Sequence, residues 1–456
     1  MELGEAILAV GAGDRAASFE FFSETLDAEW ITQALQATGS ATIRRRKLPA
    51  EYVVWLVIGM ALLRDRSIRE VVRHLDLVLP GGARRQTVSG SAIAQARARL
   101  GPDPLAALFA QAAAVWGPAA ADADRWRGLA VFGVDGTTLR VPDTAENEEA
   151  FGRTPTRWAS TGGYPLLRLV AVMVLRCHLL TGVALGAYHD SEQALAEPLW
   201  DQLPDDSLVL VDRGLATYAL WHRLADPARH RHWLTRAKEG PCAPQGRVAR
   251  RLGRGDQLLE FTPSHEMQRT HPHWPATFQV RAIRYQRRGF RAQLLLTSLL
   301  DPVAYPAAEI VALYHERWEL ELGFDEVKTH TLEREEALRS KTPARVTQEV
   351  WGLVLGYNLV RLAMARVADR AGVAPTRISF RHALQFIRVF WVTAWLASPG
   401  VLPRRLEALH DELALLILPE RRADRRYPRA VKITMSNYPR KRPLVERFAL
   451  SDRHCD

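Results

Sequence analysis

Cysteine is nearly missing from this chain: there are three in 456 residues, Cys177, Cys242 and Cys455, with no CxxC pair and no metal-ligand spacing. That excludes a disulfide framework and a structural zinc site, and it points to a reducing compartment. Long hydrophobic runs are lacking too. The longest clean one, Val53 to Leu63, is too short to span a bilayer, which needs ~20 residues. Glu2 and Glu5 stand where a secretory leader would carry basic residues. The expectation is a cytoplasmic protein with no membrane partner. No Walker-type glycine loop occurs, so no nucleotide cofactor is expected, and no segment repeats at a fixed period.

Charge is plentiful and unbalanced. There are 61 Lys and Arg against 51 Asp and Glu, a formal net charge of +10, which favours a polyanionic partner such as nucleic acid. A generic basic enzyme has the same balance, so charge alone does not decide. The length suits about three domains.

One segment carries more information: Tyr314-His-Glu-Arg317-Trp-Glu-Leu-Glu321-Leu-Gly-Phe-Asp-Glu-Val-Lys328. At about 100° per residue, Tyr314, Arg317, Glu321 and Lys328 fall within one helical stripe about 60° wide. A core-facing stripe would be apolar, whereas this one sets an acid and an aromatic ring beside two cations. A solvated helix face with acid and base three or four apart is the plain alternative. Two aspartates shift the balance. Asp135 closes Leu129-Ala-Val-Phe-Gly-Val134 and Asp212 closes Leu208-Val-Leu-Val211, so each ends a short apolar run that reads as a buried strand. Reactive groups in open α/β sheets gather beyond strand ends, although an isolated strand-end Asp also serves as a turn or cap residue.

With these residues the chain resembles the bacterial insertion-sequence transposases of the DDE type, in the group defined by a Y-(2)-R-(3)-E-(6)-K signature. The spacing from Tyr314 to Lys328 matches without a gap. The resemblance extends to Asp135-Gly-Thr-Thr-Leu-Arg-Val-Pro-Asp-Thr144 and Asp212-Arg-Gly-Leu-Ala-Thr-Tyr218. It takes in Arg45-Arg-Lys-Leu-Pro49 with the Trp55 segment, and Ser91-Ala-Ile-Ala-Gln-Ala-Arg-Ala-Arg-Leu-Gly101. It covers residues from about 20 to about 365.

The strand order Leu129–Asp135, Leu166–Arg176, His178–Tyr188, a helix from Glu192, Leu208–Val211 and Trp233–Arg236 resembles a ribonuclease-H-like fold. The expected class is therefore α/β: a ribonuclease-H-like catalytic core with a β-rich insertion, flanked by N-terminal and C-terminal helical regions. Boundaries are expected at 1–125 for a helical DNA-end-binding domain, 126–236 for the first part of the core and 237–300 for the insertion. The Glu-bearing helix of the core then falls in 301–345, and a helical region with a basic tail, the candidate dimer contact, in 346–456.

The resemblance implies a transposase that binds terminal inverted repeats, then cleaves and transfers DNA strands. It assigns Asp135, Asp212 and Glu321 to catalysis and to metal binding. A cluster of carboxylates supplies hard oxygen ligands that suit Mg²⁺, with Mn²⁺ able to substitute. Tyr314, Arg317 and Lys328 are the expected phosphate contacts, with Arg213 a further cation of that kind and Trp274 a candidate for stacking on a base. Basic clusters at Arg44-Arg-Arg-Lys47 and Arg84-Arg85, and the basic tail from Arg421 to Arg447, suit DNA phosphates. His189, Glu192, His230 and His232 lie in the same region, the histidines reading as structural. The expected partners are double-stranded DNA, at the element's ends and at the target, and a second copy of the chain in the DNA complex, acting on the nucleoid.

Two other readings share parts of this pattern. A metal-dependent endonuclease without strand transfer would need the same three acids, and a transposase-derived regulator would keep the N-terminal region but lose the chemistry. A glycosidase with paired carboxylates would not call for the clustered cations.

Overall fold

The apolar runs ending in Asp135 and Asp212 lie side by side at the centre of a sheet. A computed structural model describes residues 25–41, 48–78, 88–154, 163–238, 246–287, 291–332, 337–393 and 401–419. Its strands are β1 (Arg125–Trp126), β2 (Leu129–Arg140), β3 (Leu166–Val174), β4 (Leu179–Ala187), β5 (Ser207–Val211), β6 (Arg231–Arg236), β7 (Arg247–Gly253), β8 (Asp256–Phe261), β9 (Phe278–Tyr285) and β10 (Gln293–Thr297). Among the described residues they form one sheet ordered β4-β3-β2-β5-β6-β10-β9-β8-β7, with β1 paired to β2.

β2, β3 and β4 are antiparallel neighbours, whereas β5 runs parallel to β2 and β6 parallel to β5. That is the order and direction of a ribonuclease-H-like core. Every residue of β5, and β2 from Leu129 to Val134, is buried, as expected for strands covered on both faces. The strands of residues 237–300 do not form a sheet apart: β10 pairs with β6, so β7 to β10 extend the core sheet to an arginine-rich, exposed edge at β7.

Helices cover this sheet. Ala28–Ala37, Ala50–Leu62, Ile68–Val78, Gly90–Leu100 and Asp103–Asp122 precede it, and Pro343–Ala371, Phe380–Thr393 and Leu402–Ala414 follow. The expected helix start at Pro49 is found, with Pro49 as the cap of Ala50–Leu62. This helix is apolar on all sides because all sides are covered: Val53 to Leu62 are buried throughout. Much of that cover comes from Pro343–Ala371, whose Gly352 lets Val57 approach so closely that a Cβ there would sit 2.6 Å from Val57 Cγ1. Apolar length in Pro343–Ala371 thus serves the core.

A buried polar clasp ties the two ends of the chain. Arg64 donates to Glu349 at 2.8 Å, and Arg97 donates to Gln348 at 2.8 Å and to Ser340 at 2.9 Å. The change at about residue 125 is therefore one of element type, while the core runs continuously across it. Arg44–Lys47, Arg84, Arg85, Cys242, Cys455 and the tail 421–447 lie outside the described residues.

Candidate active site

Parallel pairing of β2 with β5 brings Val134 opposite Val211, and the next residue on each strand is an acid, Asp135 and Asp212. A pair of acids 77 positions apart in sequence is brought level by a single strand register. Asp135 Oδ1 accepts the Gly136 amide at 2.8 Å. Burial pushes the Asp135 carboxyl up to about 6; the Gly136 bond and Arg317 oppose this, while Asp212 and Glu192 add to it. Burial is thus the main influence against the charged carboxyl, and a nearby cation offsets it.

The segment from Ala307 onwards delivers the third acid, but not as the uniform α-helix expected. Ala307–Tyr314 is α-helical, His315–Arg317 tightens to a 3-10 turn, Trp318–Asp325 is α-helical again, and Glu326–Thr331 widens to a π-helical turn. Overwinding at one end and underwinding at the other adjust the angular offsets that constant α geometry would impose. Both cations expected to contact phosphate lie in the irregular turns: Arg317 in the tightened one and Lys328 in the widened one.

Close approach of this helix to the sheet depends on two glycines. A Cβ on Gly133 would fall 2.6 Å from Leu320 Cδ1, and Gly323 packs on Met173. The expected strand end at Asp135 is not one, because β2 runs on to Arg140 through its pairing with β3; the stripe meets β2 in mid-strand, level with the end of β5. Arg317 reaches Asp135 at 3.6 Å through one guanidinium nitrogen and donates to Glu321 at 2.9 Å through another. Burial works against the Arg317 charge, but Tyr314, Glu321, Asp135 and Asp212 outweigh it and hold its proton above the ordinary value. Tyr314 is buried, and that burial raises its hydroxyl above the usual range, with Asp212 adding and Arg317 subtracting. Lys328 donates to Thr137 at 3.2 Å, two residues beyond Asp135 on β2. Arg213 is exposed next to Asp212.

Two features go beyond what the sequence pattern placed. Glu192, at the start of helix Glu192–Ala196, lies against Gly136, where a Cβ would meet its Cδ at 2.7 Å, and it pairs with Arg168. Its only sequence signal is the glycine that follows Asp135. The second is a buried ion cluster behind the helix. His178, in the left-handed region with φ 61°, meets Glu319 at 2.9 Å and Glu326 at 3.2 Å, while Glu326 also accepts from Tyr357 at 2.9 Å and faces Arg361 at 3.6 Å. These residues come from four separate elements, so no local spacing announces them.

Trp274 stands elsewhere on the fold. It is half-buried, stacked on His271 with ring centroids 4.1 Å apart at 6°, and edged by Phe278. His230 pairs with Asp206 at 2.8 Å and His232 with Ser298 at 3.3 Å, both structural roles. The His189 ring packs against Gly152.

Residues 16–110 match the family "Insertion element 4 transposase N-terminal", and residues 126–359, which contain all three acids, match "Transposase DDE domain". Over 442 residues the chain is 36% identical to "Transposase InsG for insertion sequence element IS4" of Escherichia coli (strain K12), covering 96% of this chain and 98% of that protein. The chain belongs to the IS4 family of DDE transposases. It is also 33% identical over 286 residues to "Putative transposase InsZ" of the same organism, spanning 61% of this chain and 93% of that one. A cryo-EM structure of the piggyBac transposase synaptic complex with hairpin DNA is a much looser likeness, with a TM-score of 0.40 and 11% identity over 91% of this chain and 88% of that chain.

The protein is thus a transposase, and DDE transposase domains work on DNA with divalent metal ions. The residues present suit such ions. Asp135, Asp212 and Glu321 offer only hard carboxylate oxygens, and burial, which raises the Asp135 carboxyl, disfavours its charge unless a cation stands close by. As arranged, no three His, Cys, Asp or Glu side chains among the described residues enclose an ion, and Arg317 stands between Asp135 and Glu321.

Proposed function

We propose that this transposase binds the terminal inverted repeats of its element, hydrolyses the phosphodiester at each end and joins the freed end to target DNA, using Mg²⁺, or Mn²⁺ in its place, held by Asp135, Asp212 and Glu321. The observation that carries the reading is the single Arg317 guanidinium spanning Asp135 and Glu321, level with the end of β5 that Asp212 follows.

In the first step a water oxygen attacks phosphorus and the bond to the 3′ oxygen breaks, leaving a 3′-hydroxyl and a 5′-phosphate. In the second, that 3′-hydroxyl attacks a target phosphate, a new phosphodiester forms and the target's own 3′ oxygen leaves. Divalent cations held by Asp135, Asp212 and Glu321 would stabilise the attacking and leaving oxygens. The chain's own residues orient the strand. Lys328 and Arg317 clamp phosphate oxygens on either side of Glu321, and Tyr314, buried against the cluster, fixes the strand's approach. Arg213 and Trp274 are proposed as further DNA contacts, and a homodimer on the nucleoid, in the cytoplasm, as the working assembly, since two ends must be held together.

The test is cleavage and strand transfer of end-containing duplex by Asp135→Ala, Asp212→Ala and Glu321→Ala. Each should abolish metal-dependent cleavage while end binding persists. Normal cleavage by any one removes that residue from the site, and cleavage by the wild type without joining would make the protein an endonuclease.

A further inference from the structure

We propose that Arg317 and the divalent cations compete for the same carboxylate oxygens, so that DNA, by drawing the guanidinium onto a phosphate, licenses metal uptake. This rests on the metal-site assignment above but concerns a separate property, the coupling of DNA binding to metal binding.

Arg317 touches both flanking acids at once, 3.6 Å from Asp135 Oδ2 and 2.9 Å from Glu321 Oε1. A divalent cation held by these carboxylates would put a second positive charge within the same few ångströms as the guanidinium. Two cations at that separation in a half-buried site repel strongly. One of them must move, and the side chain that can is Arg317: it lies on the 3-10 turn His315–Arg317, keeps a 20% exposed side chain and has a long, rotatable stem. Its companion cation is placed differently. Lys328 donates to the Thr137 hydroxyl, away from the acids, and does not occupy the metal's place.

In free protein, then, Arg317 acts as a counter-ion that holds together acids that would otherwise repel. A DNA phosphate offers the guanidinium another bidentate partner, and the vacated oxygens bind metal. By linkage, metal must tighten DNA binding by the factor by which DNA tightens metal. The device would keep the cation pair, and so the hydrolytic step, confined to DNA-bound enzyme.

Titrating Mn²⁺ into the full chain and following the free-ion resonance reads the competition directly. Without DNA, R317M should bind Mn²⁺ at least about tenfold more tightly than wild type, a small part of the repulsion removed, whereas K328M should match wild type. With a short duplex copied from the DNA flanking the coding region, wild type should gain affinity for Mn²⁺ and R317M should not. An R317M affinity equal to or weaker than wild type would overturn the proposal. Should R317M not fold, the wild-type titrations decide alone, because equal Mn²⁺ affinity with and without duplex also overturns it. If D135A, D212A and E321A all bind Mn²⁺ like wild type, it is the metal-site assignment that fails instead.

Discussion

His178 Nδ1 lies 3.2 Å from Glu326 Oε2, and its other ring nitrogen lies 2.9 Å from Glu319. The turn between β3 and β4 therefore grips the helix carrying Glu321 from behind, at positions on both sides of Glu321, and Arg361 and Tyr357 of Pro343–Ala371 complete the grip. Removing one partner of a buried charged set leaves the others uncompensated, which costs about 3–5 kcal/mol. His178→Ala should lose that order of stability in chemical denaturation. At a temperature where it is still folded, cleavage should fall more than DNA binding, because Glu321 loses its fixed rotation towards Asp135.

The same cluster sets an acid limit. Burial alone would raise the Glu326 carboxyl, but the charges of Arg361 and His178, with hydrogen bonds from His178 and Tyr357, hold it at about 2. A folded-state value below the ordinary 4.5 contributes stability that is complete above that value and drains away as pH falls towards 2. Melting temperatures should drop across that window, and Glu326→Gln should be less stable at neutral pH yet lose less on acidification. An identical acid slope in the variant would exclude Glu326 as its source.

His232 makes a second limit at higher pH. Burial first, then the nearby His230, push its imidazole down to about 4. Because the unfolded chain takes up the proton first, stability should fall as pH drops from about 6.5 towards 4. His232→Gln should flatten that part of the profile, measured by thermal unfolding at a series of pH values.

Gly133→Ala tests the close approach of helix to sheet. The added methyl would sit 2.6 Å from Leu320 and 2.7 Å from Leu175, and overpacking of this kind costs about 1–3 kcal/mol. Since Leu320 precedes Glu321, the displacement should reach the third acid. The expected result is cleavage depressed by more than the melting temperature alone would explain, with duplex binding intact.

End recognition needs a test gentler than truncation. Deleting residues 1–125 would strip helix Ala50–Leu62 from Pro343–Ala371 and break the Arg64–Glu349 and Arg97–Gln348 hydrogen bonds, so the remainder should misfold. Replacing Arg44, Arg45, Arg46 and Lys47 by alanine removes neither helix and none of these hydrogen-bond partners. If these residues meet phosphates, affinity for end-containing duplex should weaken and its salt dependence should flatten by up to about one unit of slope for each phosphate no longer neutralised. An unchanged slope would move end binding elsewhere.

What was legible in the amino-acid sequence was whatever depends on local order. Apolar runs closed by Asp135 and Asp212, the spacing from Tyr314 to Lys328 and the strand order are written along the chain, because strand formation and helical periodicity are local properties. The family assignment was within reach for the same reason. What needed the tertiary structure was everything carried by the meeting of distant segments: the β2–β5 register that pairs the aspartates, the 3-10 and π turns that re-aim Arg317 and Lys328, and the place of Glu192. The His178 cluster and the shared core of the two helical ends belong with these. Burial and charge compensation depend on which segments meet, and side chains 140 or more positions apart, such as His178 and Glu319, leave no periodic trace of their meeting.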